Sequence, residues 1–263
     1  MHFKDKIIWI TGASSGIGAE LAKQFAAQQA KLILTARNLD ALTLIKEECS
    51  KQTSCEILAA DLQTSDIENL CQQAISTFGH IDIVINNAGV SQRSFAIDTS
   101  MEVYRNLMEI NFFAPIRITQ ALLPHFQERK TGHIVALSSI AGLMGFPLRT
   151  GYSAAKHAIH GYFESLQVEH QIPDFNVTII SPGRINTPIS KSALRGDNSP
   201  HNQMDKGQLN GIPVEKCASI IISSVKKKRK HTIIAKEEHI LWWFWRFIPS
   251  LYYSFARKSG MSK

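Results

Sequence analysis

The sequence predicts an α/β fold: a doubly wound parallel sheet of seven strands with helices on both faces. Three observations carry this expectation. Apolar runs of strand length recur at Lys6, Lys31, Cys55, Ile81, His133, Phe175 and Thr232, with helical segments between them. A glycine-rich turn, Gly12-Ala-Ser-Ser-Gly16-Ile-Gly18, follows the first run directly. The 263 residues contain no linker or internal repeat and suffice to bury one such core.

Lys6-Ile-Ile-Trp-Ile-Thr-Gly12 reads as a buried strand that passes through this turn into an amphipathic helix. Gly12 permits the tight reversal and Gly16 lets backbone approach a pyrophosphate. Gly18 lets the helix pack on the strand while its N-terminus offers free N–H groups to the anion. The spacing Gly-x-x-x-Gly-x-Gly differs from the commoner Gly-x-Gly-x-x-Gly, and alone it would suit an ordinary strand-to-helix turn. The second strand, Lys31-Leu-Ile-Leu-Thr-Ala36, is followed by Arg37, and the third, Cys55-Glu-Ile-Leu-Ala-Ala60, by Asp61. The fourth, Ile81-Asp-Ile-Val-Ile85, runs into Asn86-Asn-Ala-Gly89. Long helices are expected near residues 101 to 129 and 152 to 171, on either side of a fifth strand ending His133-Ile-Val-Ala-Leu-Ser-Ser139. The sixth strand, from Phe175, leads to Pro182-Gly-Arg-Ile-Asn-Thr187 and a polar excursion over residues 188 to 206, a length at which loops act as lids. Lys226-Lys-Lys-Arg-Lys230 ends a helix, where cations complement the dipole, and the seventh strand, Thr232-Ile-Ile-Ala235, follows at once.

Tyr152 and Lys156, four residues apart, share one helix face, and Ser139 lies thirteen positions before the tyrosine. The ammonium is expected to favour phenolate and lower a pKa of about 10, which makes Tyr152 a usable proton donor or acceptor toward a carbonyl or alcohol oxygen. Ser139 would hold the same oxygen. An isolated Tyr-x-x-x-Lys is commonly plain surface chemistry; here it has the other motifs beside it.

With Thr11-Gly-Ala-Ser-Ser-Gly-Ile-Gly18, Asn86-Asn-Ala-Gly89, Asn111, Ser139, Tyr152, Lys156 and Pro182-Gly183 in order, the chain resembles the short-chain dehydrogenase/reductase family over about residues 4 to 236. The resemblance implies a single-domain Rossmann fold over residues 1 to 236 and a tail over 237 to 263. It makes Tyr152 the catalytic acid/base, with Lys156 lowering its pKa and binding the nicotinamide ribose. Ser139 orients the substrate oxygen, and Asn111 supports a water-linked proton path. It places a dinucleotide on Gly12, Ser14, Ser15, Gly16, Ile17 and Gly18, then on Arg37, Asp61, Leu62, Asn87, Ala88 and Gly89. The nicotinamide end falls to Tyr152, Lys156, Pro182, Gly183, Ile185 and Thr187, with Thr187 on the carboxamide and Asp61 at the adenine. Asp61 and Thr187 would serve equally well as helix caps. No metal is expected.

The second strand ends without the acid that would bond a ribose 2'-hydroxyl, and Arg37 would attract a 2'-phosphate through paired hydrogen bonds, so NADP(H) is the expected cofactor. The plainer reading is that Arg37 opens the next helix. On the substrate side, Leu143, Met144, Phe146 and Leu148 form either an apolar wall or a core beneath the loop. Lys191 and Arg195 either meet an anionic headgroup or are solvated.

Cys49, Cys55, Cys71 and Cys217 show neither close pairing nor metal-ligand spacing and read as reduced thiols. With the first strand beginning by Lys6, no signal peptide or N-terminal span is expected, and a cytoplasmic location follows. The net charge of +7 divides unevenly: residues 1 to 225 hold 19 basic against 20 acidic side chains, and residues 226 to 263 hold 10 against 2. The strand that follows the lysine run argues against a nucleic-acid patch.

Trp242, Trp243, Phe244, Trp245, Phe247, Tyr252, Tyr253 and Phe255 are 8 of the 22 aromatic residues, gathered in the last 27 positions. The apolar stretch there is shorter than the roughly 20 residues a spanning helix wants. The expectation is one amphipathic aromatic and basic helix lying in a membrane interface, with Arg257, Lys258 and the lysine run facing anionic lipid. The alternative is a helix docked over the substrate mouth or on a neighbouring subunit. The tail, Lys156-His-Ala-Ile-His-Gly-Tyr-Phe-Glu-Ser-Leu166 and Gly196-Asp-Asn-Ser together resemble the family's membrane-associated branch, with its hydroxysteroid dehydrogenases and acyl-dihydroxyacetone-phosphate reductases. This implies a lipid-like ketone, aldehyde or secondary alcohol as substrate, and the wider family resemblance implies a homodimer or homotetramer through the long helices. The competing reading is an NADP(H)-holding redox sensor without turnover.

Overall fold

The computed structural model describes residues 2–261, and the side chains of Phe255 and of residues 257–261 fall outside that description. The strands are β1 (Ile7–Thr11), β2 (Lys31–Thr35), β3 (Cys55–Ile57), β4 (Ile83–Asn86), β5 (Thr131–Leu137), β6 (Asp174–Pro182) and β7 (His231–Ile234). The helices are α1 (Gly16–Ala26), α2 (Leu39–Cys49), α3 (Ile67–Phe78), α4 (Met101–Met108), α5 (Ala114–Arg129) and α6 (Thr150–Glu169). After β6 come α7 (Lys206–Leu209), α8 (Val214–Lys226), α9 (Glu238–Phe247) and α10 (Pro249–Met261). All seven strands pair in parallel in the order β3-β2-β1-β4-β5-β6-β7, the sheet expected from the apolar runs.

Burial on both faces explains why those runs lack a polar alternation. Along β1, Ile8 and Ile10 face Leu21 and Phe25 of α1 and the α8 residues Ile221 and Val225, whereas Ile7 and Trp9 face Leu70, Ile118, Leu122 and Phe163 of α3, α5 and α6. The chain winds outward from β1 to β3 and then returns to lay β4 beside β1. The crevice at their carboxyl ends is therefore the topological switch point, where ligands bind in open α/β sheets.

Three local features depart from the expectations. The segment near 101 to 129 is two helices joined by a π turn, Glu109–Phe113. The tail is two helices, because Ile248 precedes Pro249 and the proline ring disfavours helical backbone in the residue before it. The four cysteines are buried free thiols, but Cys49 and Cys55 lie beside each other, since α2 turns directly back into β3. Burial pushes the Cys71 and Cys217 thiols up to about 12, which keeps them protonated and inert.

Candidate active site

A cavity of about 620 Å3 opens at the switch point, lined by Gly12, Ser14, Ser15, Gly16 and Ile17 on one side and by Arg37, Asp61, Leu62, Asn87, Ala88, Gly89 and Thr187 on the others. Gly12 and Gly16 adopt positive φ, 65° and 54°, the conformations that make glycine the residue for this reversal. A Cβ on Gly18 would stand 2.3 Å from the Gly12 carbonyl oxygen, so Gly18 packs the helix against the turn and does not line the cavity. Ser15 precedes α1 without capping it through its side chain, so the N–H groups of the first turn face the cavity uncommitted. Asn87 braces the floor, donating to the Thr11 and Gly12 carbonyls at 3.0 and 3.1 Å, while its own N–H donates to Thr11 Oγ1 at 3.1 Å. This cradle fits a dinucleotide pyrophosphate.

Arg37 stands outside α2, whose N-cap is Asn38 accepting from Ala41 N at 3.0 Å, so it is not a helix-opening residue. Its guanidinium is 70 % exposed at the rim, 3.9 Å from Asp61. Asp61 accepts from Gln63 N at 3.0 Å in a turn; the cap of α3 is Asp66. Thr187 makes no side-chain cap, and its methyl carbon faces Gly16 across the cleft.

A second cavity of about 170 Å3 continues from the first and shares Ile17, Asn87, Gly89, Thr187 and Ile189 with it. Its walls carry Asn111, Ser139, Tyr152, Lys156, Pro182, Gly183 and Ile185, so the sequence-derived tetrad and the nicotinamide-side residues converge. Ser139 follows β5, accepts from Ala141 N at 3.2 Å, donates to the Pro182 carbonyl at 3.3 Å and stands beside the Tyr152 phenol. Lys156, one turn along α6, donates to the Leu137 carbonyl at 2.7 Å. Asn111, in the π turn, donates to the Leu107 and Val90 carbonyls at 2.9 Å and accepts from Val90 N at 3.3 Å, which fixes the segment after Gly89.

The electrostatics differ from the sequence expectation. Burial raises the Tyr152 phenol above its ordinary value, and Arg149 and Arg93 oppose that rise. Lys156 itself is held down to about 7 by burial. The substrate side also differs. Of the expected apolar wall, Phe146 lines the second cavity, whereas Met144 and Leu143 pack beneath α9 and α10. Lys191 lies on the cofactor side, and Arg195 lines neither cavity. The sequence reading missed Arg149, Arg184, Gln208 and Glu238, which line the second cavity. Glu238 is buried and accepts from Arg184 N and Lys236 N, both at 3.2 Å, with no spacing motif to announce it. Among the described residues no cluster suits a metal ion.

The tail adopts the docked alternative on its inner face. Trp242, Phe244, Trp245 and Tyr252 pack on Ile140, Leu143, Met144 and Phe146, and Tyr252 donates its hydroxyl hydrogen to the Gly145 carbonyl. Ile240, Trp243, Phe247, Leu251 and Tyr253 point outward and remain exposed. No helix among the described residues is long and apolar enough to cross a membrane. The side chains of Phe255, Arg257 and Lys258 lie outside the described residues.

A dinucleotide cradle at the switch point, opening onto a serine, a tyrosine and a lysine, defines an oxidoreductase class. The family model described as short chain dehydrogenase matches residues 6–198, and the chain belongs to the short-chain dehydrogenase/reductase family. It is 36% identical over 256 residues to dehydrogenase/reductase SDR family member 7B of Mus musculus, covering 95% of this chain and 76% of that one. It is 34% identical over 267 residues to SDR family member 7 of Homo sapiens, covering 98% and 79%. Among solved structures, a short-chain dehydrogenase from Streptomyces avermitilis superposes with a TM-score of 0.81 at 25% identity, covering 100% of this chain and 98% of that one. Another, from Sphingobium yanoikuyae in complex with NADPH, gives 0.77 at 26%, covering 87% of each.

Proposed function

We propose that the protein is an NADP(H)-dependent oxidoreductase acting on an apolar, lipid-like ketone or aldehyde and the corresponding alcohol. The observation that carries this reading is the convergence of Ser139, Tyr152 and Lys156 on a small cavity continuous with the dinucleotide cleft. Gly12, Gly16, the first turn of α1 and Arg37 would hold the phosphates, and Asp61, Asn87, Ile185 and Thr187 the rest of the dinucleotide. When bound, the nicotinamide supplies or accepts hydride. Tyr152 gives its proton to the carbonyl oxygen as it becomes an alkoxide, or takes it from the alcohol, and Ser139 donates a hydrogen bond to that oxygen. Lys156 would bond the ribose, and the π turn at Asn111 would lead protons out to water. Phe146 and Ile140 give the cavity its apolar side. The test is NADPH oxidation against a panel of steroid, retinoid and acyl-glycerone ketones; cofactor binding without turnover on any of them would favour the redox-sensor reading.

Cofactor choice rests on Arg37. In Arg37→Asp the preference for NADPH over NADH, measured as the ratio of the two kcat/KM values, is expected to fall about 10- to 100-fold, the worth of one or two charge-assisted hydrogen bonds. An unchanged ratio would mean that the 2'-phosphate is read elsewhere.

The exposed row on α9 and α10 supports peripheral membrane contact, with Trp243 at headgroup depth. The lysine run is not part of that row, because β7 separates Lys230 from Ala235 by about 16 Å at about 3.3 Å per residue. Full-length protein is expected to sediment with anionic vesicles, and Trp243→Ser with Phe247→Ser to stay in solution even at low salt. Binding that survives this pair and is lost only when the lysines are neutralised would assign the contact to residues 226–230 alone. The exposed Phe113 at the end of the π turn and Val168 on α6 support a homodimer or homotetramer through that layer.

A further inference from the structure

The wall of the substrate cavity is backed by polar residues that neither the tetrad nor the cofactor site uses. The segment Ser91-Gln92-Arg93 is braced against Leu194: Arg93 N donates to the Leu194 carbonyl and Leu194 N to the Ser91 carbonyl, both at 2.8 Å. From there its side chains reach the head of α6. Gln92, fully buried, accepts from Gly151 N at 2.8 Å and Tyr152 N at 3.2 Å, so it satisfies the first-turn N–H groups that the helix's own N-cap, Arg149, leaves open. Arg149 is thus free to turn inward. It donates to Ser91 Oγ, lies 3.9 Å from Asp205, and sets its guanidinium carbon 5.7 Å from the centroid of the Tyr152 ring.

The charges around the phenol do not balance. Arg93 and Arg149 face it from two segments, with the Lys156 amine 5.9 Å from the ring centroid and Arg184 at the mouth. Asp205 is shared between Arg93 and Arg149, while Glu238 pairs with the Arg184 guanidinium at 3.7 Å and accepts from the N–H groups of Arg184 and Lys236, which leaves Arg93 and Arg149 with one carboxylate between them. His201, 3.8 Å from Asp205, is held below its ordinary range by burial and by Arg93 and Arg195, and adds no compensating charge. An excess of cations in a dry pocket beside a phenol favours its ionised form.

We infer that Arg149 is a positioning residue for Tyr152, anchored by Ser91 and Asp205 so that positive charge reaches the developing phenolate from the head of α6. This rests on Tyr152 as the proton-transfer group. Arg149 is the largest influence opposing the effect of burial on the phenol, with Arg93 also acting against it.

The experiment titrates cofactor-saturated, full-length protein by phenolate ultraviolet absorption and subtracts the same titration of Tyr152→Phe, which yields the midpoint of Tyr152 without any substrate. Arg149→Met is expected to raise that midpoint by about one pH unit or more, the effect of removing an opposite charge within a few ångströms. Arg149→Lys, which keeps the charge, should hold it near the wild-type value. Asp205→Asn should move it the other way, downward. A wild-type midpoint in Arg149→Met, or equal upward displacements in the Met and Lys variants, overturns the inference. Should Arg149→Met fail to fold, Asp205→Asn decides, and an unchanged or raised midpoint overturns it. Because the titration needs no turnover, inactivity toward every ketone would count against the proposed reaction alone.

Discussion

Replacing Tyr152 with phenylalanine is expected to lower kcat/KM about 10²- to 10⁴-fold, the range for losing a positioned general acid or base, while NADP(H) still binds. The phenol is buried, and the substitution removes one oxygen from a wall whose shape the ring preserves. Ser139 keeps its bonds to Ala141 and Pro182, so the cavity should not reorganise. Nicotinamide fluorescence and initial rates separate the two readouts. Rates like those of wild type would remove Tyr152 from the chemistry, and lost cofactor binding would make its role structural. The pH dependence has a definite sign. Burial holds the phenol above its ordinary value, so the protonated acid that carbonyl reduction needs is present at neutral pH and is lost as pH rises through that raised value. Reduction should therefore decline on the alkaline side and oxidation of the alcohol should gain there.

Much of this site was legible because the chemistry is carried by motifs whose spacing is fixed by backbone geometry. Gly12 and Gly16 announce positive φ, and the four-residue step from Tyr152 to Lys156 places both on one face of α6 whatever the rest of the chain does. The seven strands were legible because both faces of each are buried, so apolar runs of the right length suffice. What could not be read from local pattern is what depends on contacts between distant segments. Arg149, Gln92 and Asp205 meet only because the segment after β4 and the excursion after β6 bridge at Gln92 and Leu194. The balance of charge at Tyr152 is a property of that meeting, and the Tyr152–Lys156 spacing alone carries no sign of Arg149 or Arg93. Gly18 was legible as the glycine that lets α1 pack closely, and the contact it admits is the Gly12 carbonyl.

A chain ending at Ala235 is expected to lose both stability and substrate affinity, although composition suggested a separable tail beyond residue 236. Met144 and Ile140 are 0% and 5% exposed, and their cover is α9 and α10. Uncovering apolar side chains of this size costs about 1.5–3 kcal/mol each, against a typical total stability of about 5–15 kcal/mol. The thermal midpoint should accordingly fall by roughly 10 °C. The same cut removes Glu238, so Arg184 N loses its acceptor and the Pro182–Arg184 segment beside Ser139 loosens. The substrate KM should rise more than the cofactor Kd, because the cleft around Gly12, Arg37 and Asp61 makes no contact with the tail cluster. Two point variants separate these contributions. Tyr252→Phe removes only the bond to the Gly145 carbonyl and should lower the midpoint by a few degrees. Glu238→Ala should act mainly on substrate KM, through Arg184. If the shortened chain melts with the full-length protein and keeps its KM, the aromatic helices are an appendage, and their inner face contributes neither to the fold nor to the substrate site.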